Sequence, residues 1–221
     1  MIKNSNTKFL LSCLVVILVC SGIASYVQSD FGKVSVKSLK IPTQKGQHLV
    51  FDLYKPDTAT KENKAPFVVV VPGFQRSKEA LSNIAIELSR RGMVIALIDP
   101  YAQGLSSSSR SRRSATTEGY GMFYLVDYAY SGEFLDYIDV NKIASTGHSM
   151  GGNAAIRGAN YFGKEALKSN TLSKLHSVYV SGYVLTLQDR VLKDISSNVG
   201  VSYALYDEGA FRNELSGWDA S

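Results

Sequence analysis

Ile143-Ala144-Ser145-Thr146-Gly147-His148-Ser149-Met150-Gly151-Gly152-Asn153-Ala154-Ala155-Ile156 is the stretch from which the fold can be read. A short apolar strand over Lys142–Thr146 runs into a glycine, and a run of small residues over Gly151–Tyr161 leaves it as a helix. Across the junction stands the pattern G-x-S-x-G, in the strand-turn-helix context that gives it meaning. So tight a turn strains the backbone at its centre, and a side chain two positions to either side would collide with it; glycine therefore occupies 147 and 151. Ser149 is lifted above the sheet edge as a candidate nucleophile. Gly151, Gly152, Ala154, Ala155, Gly158 and Ala159 keep the helix thin enough to lie close to the strands, and its positive N-terminal end faces any anion formed at Ser149.

Upstream, Phe67-Val68-Val69-Val70-Val71, closed by Pro72-Gly73, is a continuous β-branched run suited to a strand buried on both faces. Ser77 is placed to cap a helix in which Leu81, Ile84, Ala85 and Leu88 share one face, and Gly92 ends it. Met93–Ile98 is a second buried strand, stopped by Asp99-Pro100. A β-α-β unit with such short connections implies a parallel pair. Before it, Lys33–Ile41 and Gln47–Tyr54 alternate as two strands of a hairpin. After it, Leu105–Gly119 reads as a polar loop whose Arg110, Arg112 and Arg113 are solvated. The aromatic stretch from Tyr120 to Tyr137, Phe134 included, reads as helix packing. Ser177–Leu185 and Val199–Tyr206 read as further strands. The pattern predicts an α/β protein, a three-layer α/β/α sandwich with a mostly parallel sheet.

Phe9 to Val27 is an uncharged run of 19 residues, ~28 Å long as a helix and close to the hydrocarbon thickness of a bilayer. Lys3 and Lys8 supply a positive start, and Gly22 and Ala24 suit cleavage after Ala24, as in a signal peptide. The unbroken apolar stretch from Leu14 to Val27 tips the reading toward an uncleaved signal anchor. Residues 1–29 are thus expected to be a signal anchor or signal peptide, and the protein membrane-anchored or exported. The net charge is +5, of which +3 remains beyond Val27, a mild excess that gives no reason to expect nucleic acid. Cys13 and Cys20 both lie in the leader, so the folded part holds neither a disulfide nor a cysteine metal cluster.

From about Gln47 to Glu208 the chain resembles the α/β-hydrolase family, with likeness to dienelactone-hydrolase-like and serine-aminopeptidase-like members. The resemblance rests on several motifs in order: Leu53-Tyr54-Lys55-Pro56, the Val71-Pro72-Gly73-Phe74 loop where the family carries His-Gly, Asp99 through Ser106, Asp139 through Ala144, and the turn around Ser149. It implies that the backbone N–H groups of Phe74 and Met150 form an oxyanion hole and that Ser149 forms an acyl-enzyme on a small-molecule acyl substrate, an ester, thioester or amide. No metal and no organic cofactor are implied. The family order of Ser, acid, His points to Asp207 as the acid, with Glu208 and Asp189 as fallbacks.

The histidines are His48, His148 and His176, and all precede Asp207, which is followed by 14 residues. His148 reads as structural, and His48 and His176 as ordinary surface or core imidazoles. The expectation is a domain over residues 33–221 that is incomplete at its C-terminus and lacks the family's last strand and helix. The alternative is a non-catalytic member that binds through the same cleft. A hydroxyl without a base is a poor nucleophile.

Overall fold

The computed structural model describes residues 5–43, 46–107, 117–132, 135–183 and 194–202. A helix, α1 (Ser5–Gln28), leads through a turn into the hairpin β1 (Val34–Pro42) and β2 (His48–Pro56). Then follow β3 (Ala65–Val71), a 3₁₀ turn (Lys78–Leu81) continuing into α2 (Ser82–Arg90), and β4 (Val94–Asp99). A second 3₁₀ turn (Gly119–Gly121) opens α3 (Met122–Tyr130), and β5 (Ile138–His148), α4 (Met150–Ser169), β6 (Ser177–Ser181) and β7 (Asn198–Ser202) complete the order.

The seven strands form one sheet in the order β1-β2-β4-β3-β5-β6-β7. The hairpin joins it antiparallel, through β2 on β4, and every pair from β4 to β7 is parallel. Alternation along the central strands explains why their apolar runs have no polar breaks. In β3, Phe67, Val69 and Val71 enter a core shared with α3 and α4, and Val68 and Val70 enter a smaller core against α2. β4 divides the same way, with Ala96 and Ile98 against Ile95 and Leu97. One strand therefore supplies two layers, because successive side chains leave a sheet on opposite faces.

Several boundaries differ from those the sequence suggests. β5 starts at Ile138 rather than Lys142, because the polar Asp139, Asn141 and Lys142 sit at a register shift opposite Ala65–Phe67. The Asp139 carboxylate accepts the Asn141 N–H and pairs with the Lys142 ammonium at 3.1 Å, which makes polar residues tolerable there. α4 runs on to Ser169, since Phe162, Gly163 and Ala166 continue its buried face, and Asn170 closes it in a left-handed conformation with its N–H on the Ala166 carbonyl. β6 stops at Ser181, where Gly182 turns to positive φ. The Ser77 hydroxyl does not cap the following helix. The Lys78 N–H goes instead to the Asp99 carboxylate, 2.8 Å away and 21 residues on, a cap that helix periodicity alone does not reveal.

Candidate active site

β5 ends at His148 and α4 begins at Met150, so the whole reversal falls on Ser149, at φ 53° and ψ −115°. A non-glycine residue there carries strain of roughly 1–3 kcal/mol and persists only where its surroundings over-determine it. They do so on both sides. The Ser149 N–H donates to the Ser181 carbonyl at 2.9 Å, and the Ser149 carbonyl accepts the Asn153 N–H at 3.0 Å. A Cβ on Gly147 would stand 2.5 Å from the Gly151 oxygen and 2.6 Å from the Val71 oxygen, and one on Gly151 would land on the Val71 carbonyl. Three backbone segments thus touch without side chains between them. Gly152 is pressed against Val180 and Tyr183, and Gly158 against Met122.

The loop after β3 meets this elbow. A Cβ on Gly73 would lie 3.5 Å from the Ser149 Cβ and 3.4 Å from His148 Nδ1, so the space between the two turns would take a methyl group and little more. Phe74 follows with 55% of its surface exposed, and Phe74 and Met150 line one cavity of about 460 Å³ together with Arg76, Tyr101, Gln103 and Tyr120. Burial raises the pKa of the Tyr101 phenol, against the lowering effect of its hydrogen bond to Thr43. Burial, reinforced by Tyr183, raises that of Tyr120. Both phenols are therefore neutral hydroxyls at pH 7.

Gln103 holds the Phe74 loop in place, a role that no motif in the sequence announces. Its amide nitrogen donates to the carbonyls of Gly73 (3.0 Å) and Arg76 (2.8 Å), and its amide oxygen accepts the Gln75 N–H (2.8 Å). The Gln75 N–H is thereby occupied, one residue beyond Phe74. Behind the loop, Asp99 (1% exposed) accepts the N–H groups of Lys78 and Leu105, and Gly104, at φ +53°, leaves its backbone against that carboxylate. The buried Lys78 ammonium lies 2.8 Å from Glu79, 3.7 Å from Asp52 and 3.9 Å from Asp99. Burial alone would lower its pKa, but the Glu79 hydrogen bond and the charges of Asp52 and Asp99 outweigh burial and hold it above its ordinary value. Hydrogen bonds from Lys78 and Ser77 in turn pull Glu79 down to about 2.

The three histidines do other work. His48 is linked through Nδ1 to the Ser107 hydroxyl at 2.7 Å and through Nε2 to the Leu105 carbonyl at 3.0 Å, tying the loop after β4 to the start of β2. His176 Nδ1 accepts the Ile143 N–H at 3.4 Å. The exposed His148 ring lies against Gly73 and Gly182. Among the described residues no histidine is hydrogen-bonded to the Ser149 hydroxyl, and none of their His, Cys, Asp and Glu side chains group in threes that could hold a metal. Asp207, Glu208, Asp189, Arg110, Arg112, Arg113 and Phe134 lie outside the described residues, as does the strand expected beyond Ser202.

Residues 21–174, well over half of the chain, match the model of a family described as PET hydrolase-like. Similar solved structures include the alpha/beta hydrolase GrgF from Penicillium sp. sh18, with TM-score 0.53 and 20% identity over 68% of this chain and 46% of that one. Dipeptidyl peptidase 4 from Porphyromonas gingivalis has TM-score 0.64 and 15% identity over 85% of this chain and 30% of its own. Brefeldin A esterase, described as a bacterial homologue of human hormone sensitive lipase, has TM-score 0.52 and 16% identity over 73% and 44%. At these identities the likeness is one of fold, and the chain spans less than half the length of each structure. No curated protein matches it significantly.

Proposed function

The chain belongs to the PET hydrolase-like family within the α/β-hydrolases, and on that premise we propose that it is a serine hydrolase acting on an ester, thioester or amide. The observation that carries this reading is the positive φ of Ser149 at an elbow whose next residue, Met150, shares a cavity with Phe74. The Ser149 oxygen attacks the carbonyl carbon and the C=O π pair moves onto oxygen. That oxyanion accepts hydrogen bonds from the N–H groups of Phe74 and Met150, with the positive end of α4 behind them. Collapse expels the alcohol, thiol or amine with a proton and leaves an acyl-Ser149, which water then hydrolyses. The base of this reading is a histidine oriented by Asp207 that is none of His48, His148 and His176, the three this sequence contains. α1 is long and apolar enough to cross a bilayer, and we read residues 1–29 as a retained anchor, with the hydrolase domain from residue 33 onward.

A fluorophosphonate probe tests the reading on the full-length protein in detergent. We expect one labelled site, lost in Ser149→Ala and retained in His48→Gln. A folded protein that takes no label at any pH between 6 and 9 overturns the enzymatic reading and assigns the chain to the alternative, a binder that uses the same cavity without turnover.

A further inference from the structure

α1 and the cavity stand at opposite ends of the sheet. Not one described residue of α1 is buried, and its apolar side chains, from Phe9 to Val27, are exposed all round. Such a helix is at home only in a non-aqueous medium. Its C-terminal end, by contrast, is bonded firmly to the domain. The Phe31 N–H donates to the Tyr26 carbonyl at 2.9 Å, the Val34 N–H to the Ser29 carbonyl at 2.9 Å, and the Asp57 N–H to the Lys33 carbonyl at 2.8 Å. The Arg90 guanidinium, at the end of α2, reaches the Val27 carbonyl, which suits the negative end of a helix. The Tyr26 and Phe31 rings meet edge to face at 5.6 Å. Helix and strand are therefore joined by a capped turn and not by a free tether.

Register fixes which end of the sheet this is. Val34 pairs with Pro56, and Tyr54 with Ile95, so the joint lies at the N-terminal ends of the parallel strands. Ser149 follows the C-terminal end of β5, and the Val71 oxygen that crowds Gly151 ends β3. The seven residues of β3 place the two ends ~20 Å apart.

We infer that the N-terminal end of the sheet rests on the lipid headgroup layer and that the cavity opens away from the bilayer, so the substrate is an acyl compound delivered from the aqueous phase and not a lipid of the anchoring membrane. Tyr26 and Phe31, each 57% exposed, sit at headgroup level, where aromatic rings are favoured. Lys33, 3.9 Å from Asp30 within the same turn, and Arg90, bonded to the Val27 carbonyl, add positive charge at this level. The inference rests on α1 being a retained anchor.

Single-cysteine proteins separate the two claims. In a Cys13→Ser, Cys20→Ser background, Lys33→Cys marks the joint and Gln75→Cys the cavity rim. Each is labelled with an environment-sensitive fluorophore and reconstituted in phosphatidylcholine–phosphatidylglycerol vesicles. Flotation reports the anchor: we expect the folded protein to rise with the vesicles, and a protein that stays behind overturns the anchor reading and the inference with it. A headgroup nitroxide lipid reports the orientation. We expect quenching at position 33 several-fold stronger than at 75, and equal or reversed quenching in protein that floats overturns the orientation alone. Ser35→Cys and Arg76→Cys repeat the measurement should either first variant misfold.

Discussion

Two strand-to-helix turns stand side by side on the sheet edge, and opposite means hold them. The turn from β5 into α4 is kept by the absence of side chains: Gly147, Gly151 and the Val71 carbonyl touch backbone to backbone. The turn from β3 toward α2 is kept by side chains lent from β4 and the loop after it, with Gln103 on Gly73, Gln75 and Arg76, and Asp99 on the Lys78 N–H. Steric exclusion has no partial version, because a backbone cannot give way as a flexible side chain does. Hydrogen-bonded staples are graded, each contributing roughly 1 kcal/mol and somewhat more where a charge is involved.

The comparison predicts a descending series of effects. Gly151→Ala should be the most severe, on the order of 5 kcal/mol, since its methyl group falls on the Val71 carbonyl, which has nowhere to move. A thermal melt within a few degrees of the parent protein would break the claim that the elbow is held by exclusion. Asp99→Ala should cost about 3 kcal/mol, because a buried and a half-buried N–H group lose their acceptor and the Lys78 ammonium loses a neighbour. Urea titration measures it.

Gln103→Ala removes three hydrogen bonds from the loop that carries Phe74 and should cost ~1–2 kcal/mol of stability. Under the serine-hydrolase reading it also slows fluorophosphonate labelling roughly tenfold, below the 10²–10³ range for outright loss of an oxyanion donor. Unchanged labelling at unchanged stability would remove Gln103 from its positioning role. Glu79→Gln should be mildest, below ~1 kcal/mol, because the pair it breaks is open to solvent on the Glu79 side. Its signature is pH dependence. Glu79 is held at about 2 rather than 4.5, so the parent's extra stability is complete above pH 4.5 and disappears as the pH falls toward 2. The variant should lack that component of the acid loss, and matching pH–stability curves would show that the Lys78 pair contributes nothing measurable.

The legible parts of the molecule were those governed by nearest neighbours in sequence. The valine run of β3, the buried strand after Met93 and the small-residue face of α4 announced their elements, and the glycines of the elbow announced its geometry. The start of β5 is hidden because Asp139 and Asn141 look like a loop before Lys142, yet the three satisfy one another at a register shift. Ser77 misleads because a capping hydroxyl is the local solution, whereas the fold supplies the Asp99 carboxylate from β4. Gln103 went unassigned because an amide in a polar loop carries no period and no motif.

The sequence alone determined the layered fold and the strained turn, since both follow from alternation along a strand and from the space a Cβ needs, which hold wherever the segment is placed. Only the tertiary structure decided that Gln103 reaches back to Gly73 and Arg76, that Asp99 caps the helix after Lys78, and that α1 is bonded to Arg90 at the end of the sheet away from Ser149. Those contacts join residues 21 to 63 positions apart, and sheet order, a property of the whole chain, is what brings them within hydrogen-bond reach.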